Sequence, residues 1–246
     1  MIDGQNKMMM TRIRAAFFMV SLFWTLQSNA SVVITGTRVI YPLSSASVTV
    51  RLLNDGSQPS LVQAWADDGD SNGAPNESAA PFIVTPPVFR MEPTAGQTLR
   101  LTLTNAGLPT DRESVFWLNV LDIPPKPAAN NGNYLQMAVR SRIKIFVRPD
   151  NLNLTMNEAA RNLQWTTSAS GELMIHNPGP YYFSLNGFST SRDKTGPTVP
   201  LAAMVAPFSS VNLHKRVSIP ANASMDVSYI NDYGGTTRTT ISGNNK

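Results

Sequence analysis

From residue 31 onward, apolar and polar side chains alternate with a period of two rather than 3.6. The alternation is clearest in residues 47–52 (SVTVRL) and 98–103 (TLRLTL). Turn sequences rich in Asn, Asp, Gly and Pro separate these runs, and no convincing helical stretch lies between them. Short strands at this spacing predict an all-β chain that folds as β-sandwiches.

The longest predicted strand covers residues 134–147 and ends before Pro149, because proline cannot donate to a sheet ladder. A second set of strand-like runs follows it, from residue 163 to residue 241. We therefore place a domain boundary near residues 149–152. This predicts an N-terminal domain at 31–150 and a C-terminal domain at 151–246, each close in size to one immunoglobulin-like sandwich.

The first 30 residues follow a different pattern. Basic residues precede an apolar run at residues 15–26, and the small residues Ser28-Asn29-Ala30 follow it. This order predicts a cleavable secretory signal peptide at residues 1–30, cut after Ala30. The apolar run is shorter than the ~20 residues that span a bilayer, so we expect export without membrane insertion.

The composition of the chain excludes several kinds of functional site. The chain has no cysteine, which excludes disulfides, thiolate metal sites and cysteine nucleophiles. The formal charge of +4 comes without a Lys/Arg block, so no nucleic-acid partner is expected. Residues 68–73 (DGDSNG) match the opening of an EF-hand loop, but its twelfth position is Ala79 rather than a glutamate. No catalytic or nucleotide-binding motif occurs, and we predict no metal, no cofactor and no enzymatic activity.

Eight short sequence segments, or strings, carry a resemblance to a known protein family. They are, in chain order, GTRVIYP (36–42), QAW (63–65), TPPVFR (85–90), DRES (111–114) with FWLN (116–119), IPP (123–125), RIKIFVRP (142–149), NPGPYY (177–182) and SYINDYGG (228–235). In this order the sequence resembles the periplasmic chaperones of the chaperone–usher pilus pathway, over essentially the whole mature chain. The nine-residue spacer at 126–134 resembles the short-loop branch of that family.

The resemblance implies two immunoglobulin-like sandwiches arranged in an L, in the periplasm. Its implied partners are pilus subunits (pilins), each missing its last strand, and an outer-membrane usher that receives them. The chaperone would lend the subunit a strand, a mode in which main-chain hydrogen bonds and alternate side chains both contribute. Whether the free protein self-associates is left open by the sequence.

The strand to be lent is expected to carry Leu135, Met137 and Val139. These three residues lie at every second position, so they share one face of an extended strand. The resemblance implies that this face enters the subunit core. The pattern alone instead favours these residues filling the core of their own domain.

By the resemblance, Arg38 and Lys144 are the two cations that bind the C-terminal carboxylate of the subunit. Taken alone, a single arginine in a strand is usually a solvated surface residue. Strict alternation also puts Lys144 on the opposite face from Val139, so the sequence predicts that a twist or bulge brings it to the cleft.

The resemblance implies a third group, an ion network of Glu113, Arg148 and Asp232 that sets the relative orientation of the two domains. One guanidinium can pair with two carboxylates, which suits this role. Asp232 also lies in NDYGG (231–235), a sequence that makes a good turn without any partner. An alternative for the whole chain is an exported β-sandwich adhesin or carbohydrate-binding protein.

Overall fold

The computed structural model describes residues 31–75, 78–104, 107–126, 135–189, 198–217 and 223–243. The predicted signal peptide at 1–30 and most of the spacer at 126–134 therefore lie outside the described residues. Nine strands form the first half of the fold: β1 Val32–Ile34, β2 Arg38–Pro42, β3 Val48–Asn54, β4 Ser60–Asp67, β5 Phe82–Thr85, β6 Val88–Met91, β7 Gly96–Leu103, β8 Ser114–Ile123 and β9 Val139–Arg148.

These strands make two sheets that pack face to face. The order is β1-β3-β7-β5 in the four-stranded sheet and β2-β9-β8-β4-β6 in the five-stranded sheet. Every pair is antiparallel except β2 with β9. Alternate side chains such as Leu52, Leu101, Leu118 and Ile145 fill a single core between the sheets. The period of two in the sequence thus corresponds directly to the buried face of each strand.

The second half contains one short helix and seven strands: α1 Met156–Arg161, β10 Gln164–Thr167, β11 Glu172–Asn177, β12 Phe183–Ser189, β13 Val199–Val205, β14 Ser209–Arg216, β15 Ser224–Ile230 and β16 Thr236–Gly243. The strands form one ladder in the order β13-β12-β15-β16-β10-β11-β14. Both ends of the ladder contribute to the same core, through Leu173, Phe183, Val205 and Leu213. The ladder therefore curls into a second sandwich-like body.

The all-β prediction with two sandwich domains is confirmed by this fold and by its match to solved structures. The short helix α1 was not among the predicted elements. Thr155 caps this helix: its hydroxyl accepts a hydrogen bond from the N–H of Glu158, whose side chain binds the Thr155 backbone in return. The T-x-x-E spacing of a capping box was the available signal. The boundary near 149–152 stays a prediction.

The predicted strand at 134–147 also differs from the fold, because β9 begins only at Val139. Leu135 and Met137 precede it and belong to no strand. The last pair of the β8–β9 ladder joins Asp122 to Val139. Beyond it, Pro124 and Pro125 have no N–H to donate, which explains why pairing within the chain stops there.

The two halves meet along one side of the five-stranded sheet. The backbone N–H of Glu113 donates to the carbonyl of Pro180 at 2.9 Å. Gly234, with φ of +83°, lies so close to Thr37 that an added Cβ would be 2.5 Å from the threonine hydroxyl. A residue with a side chain is excluded there both by the space and by the backbone conformation. This close contact brings the second domain next to the start of β2.

Candidate functional site: a cationic pair beside an open strand edge

Arg38 and Lys144 lie next to each other in the sheet. Arg38 is the first residue of β2, and its Cα partner in the parallel ladder is Lys144 of β9. Side chains at paired positions of neighbouring strands project to the same face of a sheet. The two cations therefore share one face, at the point where β2 begins.

The second domain contacts both cations. Nη1 of Arg38 donates to the carbonyl of Ile230 at 2.7 Å, and its guanidinium lies 5.5 Å from the ring centre of Phe146. Nζ of Lys144 lies 3.2 Å from the hydroxyl of Ser184. Nε of Arg38 is buried without a hydrogen-bond partner in the described part of the chain. A donor is therefore still free at the base of the cleft.

The electrostatics of the pair favour an anion. Burial lowers the pKa of Arg38, and burial together with the neighbouring Arg38 charge lowers the pKa of Lys144. Among the described residues, no carboxylate lies within 4.0 Å of either cation. Two partly buried cations that no described carboxylate pairs are costly, so a carboxylate that entered the cleft would form strong charge-assisted hydrogen bonds.

Lys144 reaches the cleft without a bulge in β9. β8 and β9 pair residue for residue from Ser114 with Val147 to Asp122 with Val139, and no register shift interrupts the ladder. Of the two alternatives, a twist or a bulge, the ladder excludes the bulge. Lys144 does face away from the core, but the second domain packs against that outer face, so the outer face is itself a wall of the cleft.

Leu135, Met137 and Val139 do not fill the core of their own domain. Their exposed fractions are 84%, 64% and 46%. Their strand edge is also open: β2 pairs with β9 only from Lys144 to Arg148, so residues 139–143 have β8 on one side and no described strand on the other. An exposed apolar run beside unpaired backbone groups is a template for another strand.

Arg148 joins the two predicted carboxylates. Its Nε donates to Glu113 at 2.7 Å, and its two terminal nitrogens bind both oxygens of Asp232 at 2.7 Å each. Burial alone would lower the pKa of Arg148, but the hydrogen bonds of Asp232 and the charge of Glu113 raise it. Glu113 also accepts the N–H of Tyr182 at 2.8 Å, and burial raises its pKa. The network thus spans both domains.

Sequence reasoning missed a second charged cluster, on the outer face of the five-stranded sheet. Asp67 is 3% exposed and accepts hydrogen bonds from Arg142 and from Asn119, the latter at 2.6 Å. Arg140 binds Asn119 at 2.7 Å and lies 4.8 Å from the ring centre of Trp65. Arginines at 140 and 142, on one face of a strand whose other face is apolar, were the available signal. The cluster contacts β9 on its outer face, opposite the core.

Two family models together match almost all of the described chain. Residues 31–153 match the pili and flagellar-assembly chaperone, PapD N-terminal domain, and residues 158–241 match the pili assembly chaperone PapD, C-terminal domain. The chain belongs to the pilus-assembly chaperone family. The expectation drawn from the eight strings is thereby confirmed at the level of the family.

Relatives and solved structures agree with this assignment. The chaperone is 44% identical over 231 residues to the probable fimbrial chaperone YadV of Escherichia coli K12, which covers 90% of this chain and 93% of that protein. The crystal structure of the Pseudomonas aeruginosa CupB2 chaperone matches with a TM-score of 0.72 at 38% identity, covering 86% of this chain and all of the other. The SafB chaperone of Salmonella enterica, solved in complex with the SafA pilin, matches with a TM-score of 0.71 at 29% identity, covering 86% and 95%.

A chaperone role in fimbrial assembly is therefore established for the family, and it replaces the adhesin alternative. None of the helices in the described part of the chain is long and apolar enough to cross a bilayer.

Proposed function

We propose that this protein is a periplasmic chaperone, exported by the signal peptide at residues 1–30, that lends a strand to pilus subunits and delivers them to an outer-membrane usher. In this proposal the C-terminal strand that the subunit does possess pairs with the open edge of β9 at residues 139–143, and β9 takes the place of the missing strand. Its C-terminal carboxylate binds Arg38 and Lys144. The observation that carries the proposal is the position of the two cations at the end of that open edge.

The direction of the added strand follows from the same geometry. β2 runs parallel to β9 and begins at Arg38. A subunit strand that runs parallel to β9 along residues 139–143 would end where β2 begins, with its terminal carboxylate at the cationic pair. An antiparallel strand would place that carboxylate at the Val139 end of the open edge, away from both cations. We therefore expect parallel addition.

The apolar side chains supply the affinity and the cations set the register. Burial of each exposed apolar side chain, Leu135, Met137 or Val139, in a subunit core would contribute about 1.5 to 3 kcal/mol before ordering costs. Apolar contacts alone tolerate a slip along the strand by two residues. A carboxylate fixed at one end removes that freedom.

The first test is periplasmic co-expression of a candidate pilin with wild type, Arg38→Ala or Lys144→Ala. Matched controls are Arg51→Ala and Lys215→Ala, which remove the same charges from exposed positions in other strands. We expect the pilin to accumulate and co-purify with wild type and both controls, and to be lost with both cleft variants. Equal rescue by all five proteins would refute the carboxylate anchor. Failure of wild type with several pilins would refute the strand-lending role.

A peptide with the sequence of the C-terminal strand that the pilin does possess isolates the contribution of the carboxylate anchor. Charge-assisted hydrogen bonds contribute about 1.5 to 3 kcal/mol. The free acid should therefore bind wild type about 10- to 100-fold more tightly than the C-terminal amide, measured by calorimetry. In Lys144→Ala this ratio should fall towards one, while binding to Lys215→Ala keeps it.

A further inference from the structure

Ser31, the residue that follows the predicted cleavage site, is tightly bound into the first sandwich. Its carbonyl accepts the N–H of Asp55 at 2.7 Å, and its hydroxyl lies 3.1 Å from the hydroxyl of Ser60. Gly56 packs directly against it, since a Cβ added to Gly56 would lie 2.8 Å from the Cβ of Ser31. The position of the Ser31 backbone is thus set by contacts with β4 and with the turn after β3.

Asp122 lies beside Ser31 and is incompletely bonded. The residue is 6% exposed, at the end of the core between the two sheets. One carboxylate oxygen, Oδ2, accepts from the hydroxyl of Ser31 and from the N–H of Val32 at 3.2 Å. The other oxygen, Oδ1, is buried and has no hydrogen-bond partner within the described ranges. No Lys, Arg or His nitrogen of those ranges lies within 4.0 Å of this carboxylate.

A buried carboxylate with a free oxygen and no cation is expensive to fold. In the precursor the nitrogen of Ser31 is an uncharged amide with one hydrogen. Hydrolysis of the Ala30–Ser31 bond by a signal-processing protease consumes one water, leaves a carboxylate on Ala30 and leaves an amine on Ser31. At neutral pH that amine is mostly protonated, so it carries a positive charge and three donors. It is attached to the same Cα whose side chain already touches Asp122.

We propose that Asp122 is the binding site for the α-ammonium group that cleavage creates on Ser31. The ligand class is a primary ammonium, and the chain itself supplies it. The pair joins β1 of one sheet to β8 of the other, so removal of the signal peptide completes the first sandwich. This inference rests on the cleavage site given in the proposed function, but not on subunit binding.

The test uses the exported protein, expressed with its own leader and purified from the periplasm. Mass spectrometry of the intact protein first identifies its N-terminal residue. Four proteins are then compared: wild type and Asp122→Asn, each beginning at Ser31 or carrying one additional alanine before Ser31. An added residue moves the ammonium away from the carboxylate while it leaves all side chains intact.

Two readouts decide the outcome. In wild type the added alanine should lower Tm by about 3 °C or more, as expected for roughly 1 kcal/mol in a chain of this size. In Asp122→Asn it should have no further effect. The α-amine of wild type should also react with an acylating reagent at neutral pH about tenfold more slowly than the α-amine of Asp122→Asn, a loss of reactivity that a structural carboxylate alone would not cause.

Equal labelling of the α-amines of wild type and Asp122→Asn would overturn the proposal. If Asp122→Asn is too unstable for this comparison, wild type with and without the extra alanine gives the same test. Equal labelling of those two α-amines would likewise overturn the proposal. Cleavage at any other bond would overturn it as well. None of these outcomes bears on the pilin experiments, which fail or succeed through Arg38 and Lys144.

Discussion

Asp67 is a buried carboxylate that binds the face of β9 opposite the core. Burial by itself would raise its pKa, but hydrogen bonds from Arg142, Asn119 and the N–H of Gly69 outweigh it and lower the pKa. The arginine that it binds belongs to β9, the strand whose open edge and exposed apolar residues we assign to subunit binding. Asp67 is therefore a positioning residue, which acts on the site through Arg142.

The lowered pKa predicts the pH dependence of stability. Since the folded state binds the proton less readily than the unfolded state, Asp67 stabilises the fold above its ordinary pKa of 3.8, and this contribution is lost as the pH falls further. Asp67→Asn should lower the free energy of unfolding at neutral pH by about 1 to 3 kcal/mol. Its stability should also fall less steeply than that of wild type below about pH 4, measured by urea titration.

The matched control is Asp68→Asn, at the exposed neighbouring position. We expect it to keep the stability and the acid dependence of wild type. If Asp67→Asn and wild type lost stability in parallel as the pH falls, the Asp67 assignment would be wrong.

At the scale of the element, β9 combines two functions on its two faces. Its odd-numbered residues Ile143, Ile145 and Val147 contact the core, and its even-numbered residues bind the outer cluster and the cleft. Its first part has β8 as a single neighbour, and its second part lies between β8 and β2. The apolar pattern of the core face continues past the end of the core, which leaves Leu135, Met137 and Val139 exposed.

This exposure separates binding from stability. The double variant Leu135→Ser/Met137→Ser should change the free energy of unfolding by no more than about 0.5 kcal/mol, since neither side chain is buried. Its affinity for the pilin strand peptide should fall at least about tenfold, because two apolar side chains no longer enter the subunit. Thermal unfolding and calorimetry measure the two effects.

Ile83→Ser is the control, since Ile83 is a 56% exposed residue on the four-stranded sheet. It should affect neither quantity. Large-to-small substitutions in a core cost about 2 kcal/mol or more. A loss of stability of that size in the double variant would instead favour the alternative in which these residues fill the core of their own domain.

For the whole molecule, the decisive contacts are those between the two domains. Arg148, Glu113 and Asp232 form one network, and Thr37 packs on Gly234 beside it. Interfaces between domains of one chain are usually mobile unless specific contacts hold them. Here the cleft depends on those contacts, because Arg38 binds a carbonyl of the second domain and Lys144 binds one of its hydroxyls.

Arg148→Gln should therefore loosen the arrangement of the domains. It leaves the fully buried Glu113 without its cation, which costs about 3 to 5 kcal/mol when a buried pair is broken. We expect small-angle scattering to show a larger and more variable molecule, with circular dichroism of the two β-domains preserved. Arg90→Gln, which breaks the exposed pair with Glu92, should leave the scattering profile unchanged. A profile for Arg148→Gln identical to wild type would refute the orientation role.

Much of this protein's secondary structure follows from local patterns in its sequence. A period of two predicts strands wherever one face is buried, and proline ends them, so the all-β fold and the end of β9 follow from sequence. The short helix α1 escaped because one and a half turns give too little periodicity, although its capping box was present. The eight family strings added the site residues.

Only the tertiary structure decided which faces of the strands stay exposed and which are covered. Alternation places Val139 and Lys144 on opposite faces, but it does not say that the core ends before Val139 or that a second domain covers the face of Lys144. It also does not say that Asp67 and Asp122, far apart in sequence from their partners, become buried carboxylates. Burial and charge pairing depend on contacts between distant segments, and those exist only once the sheets have packed.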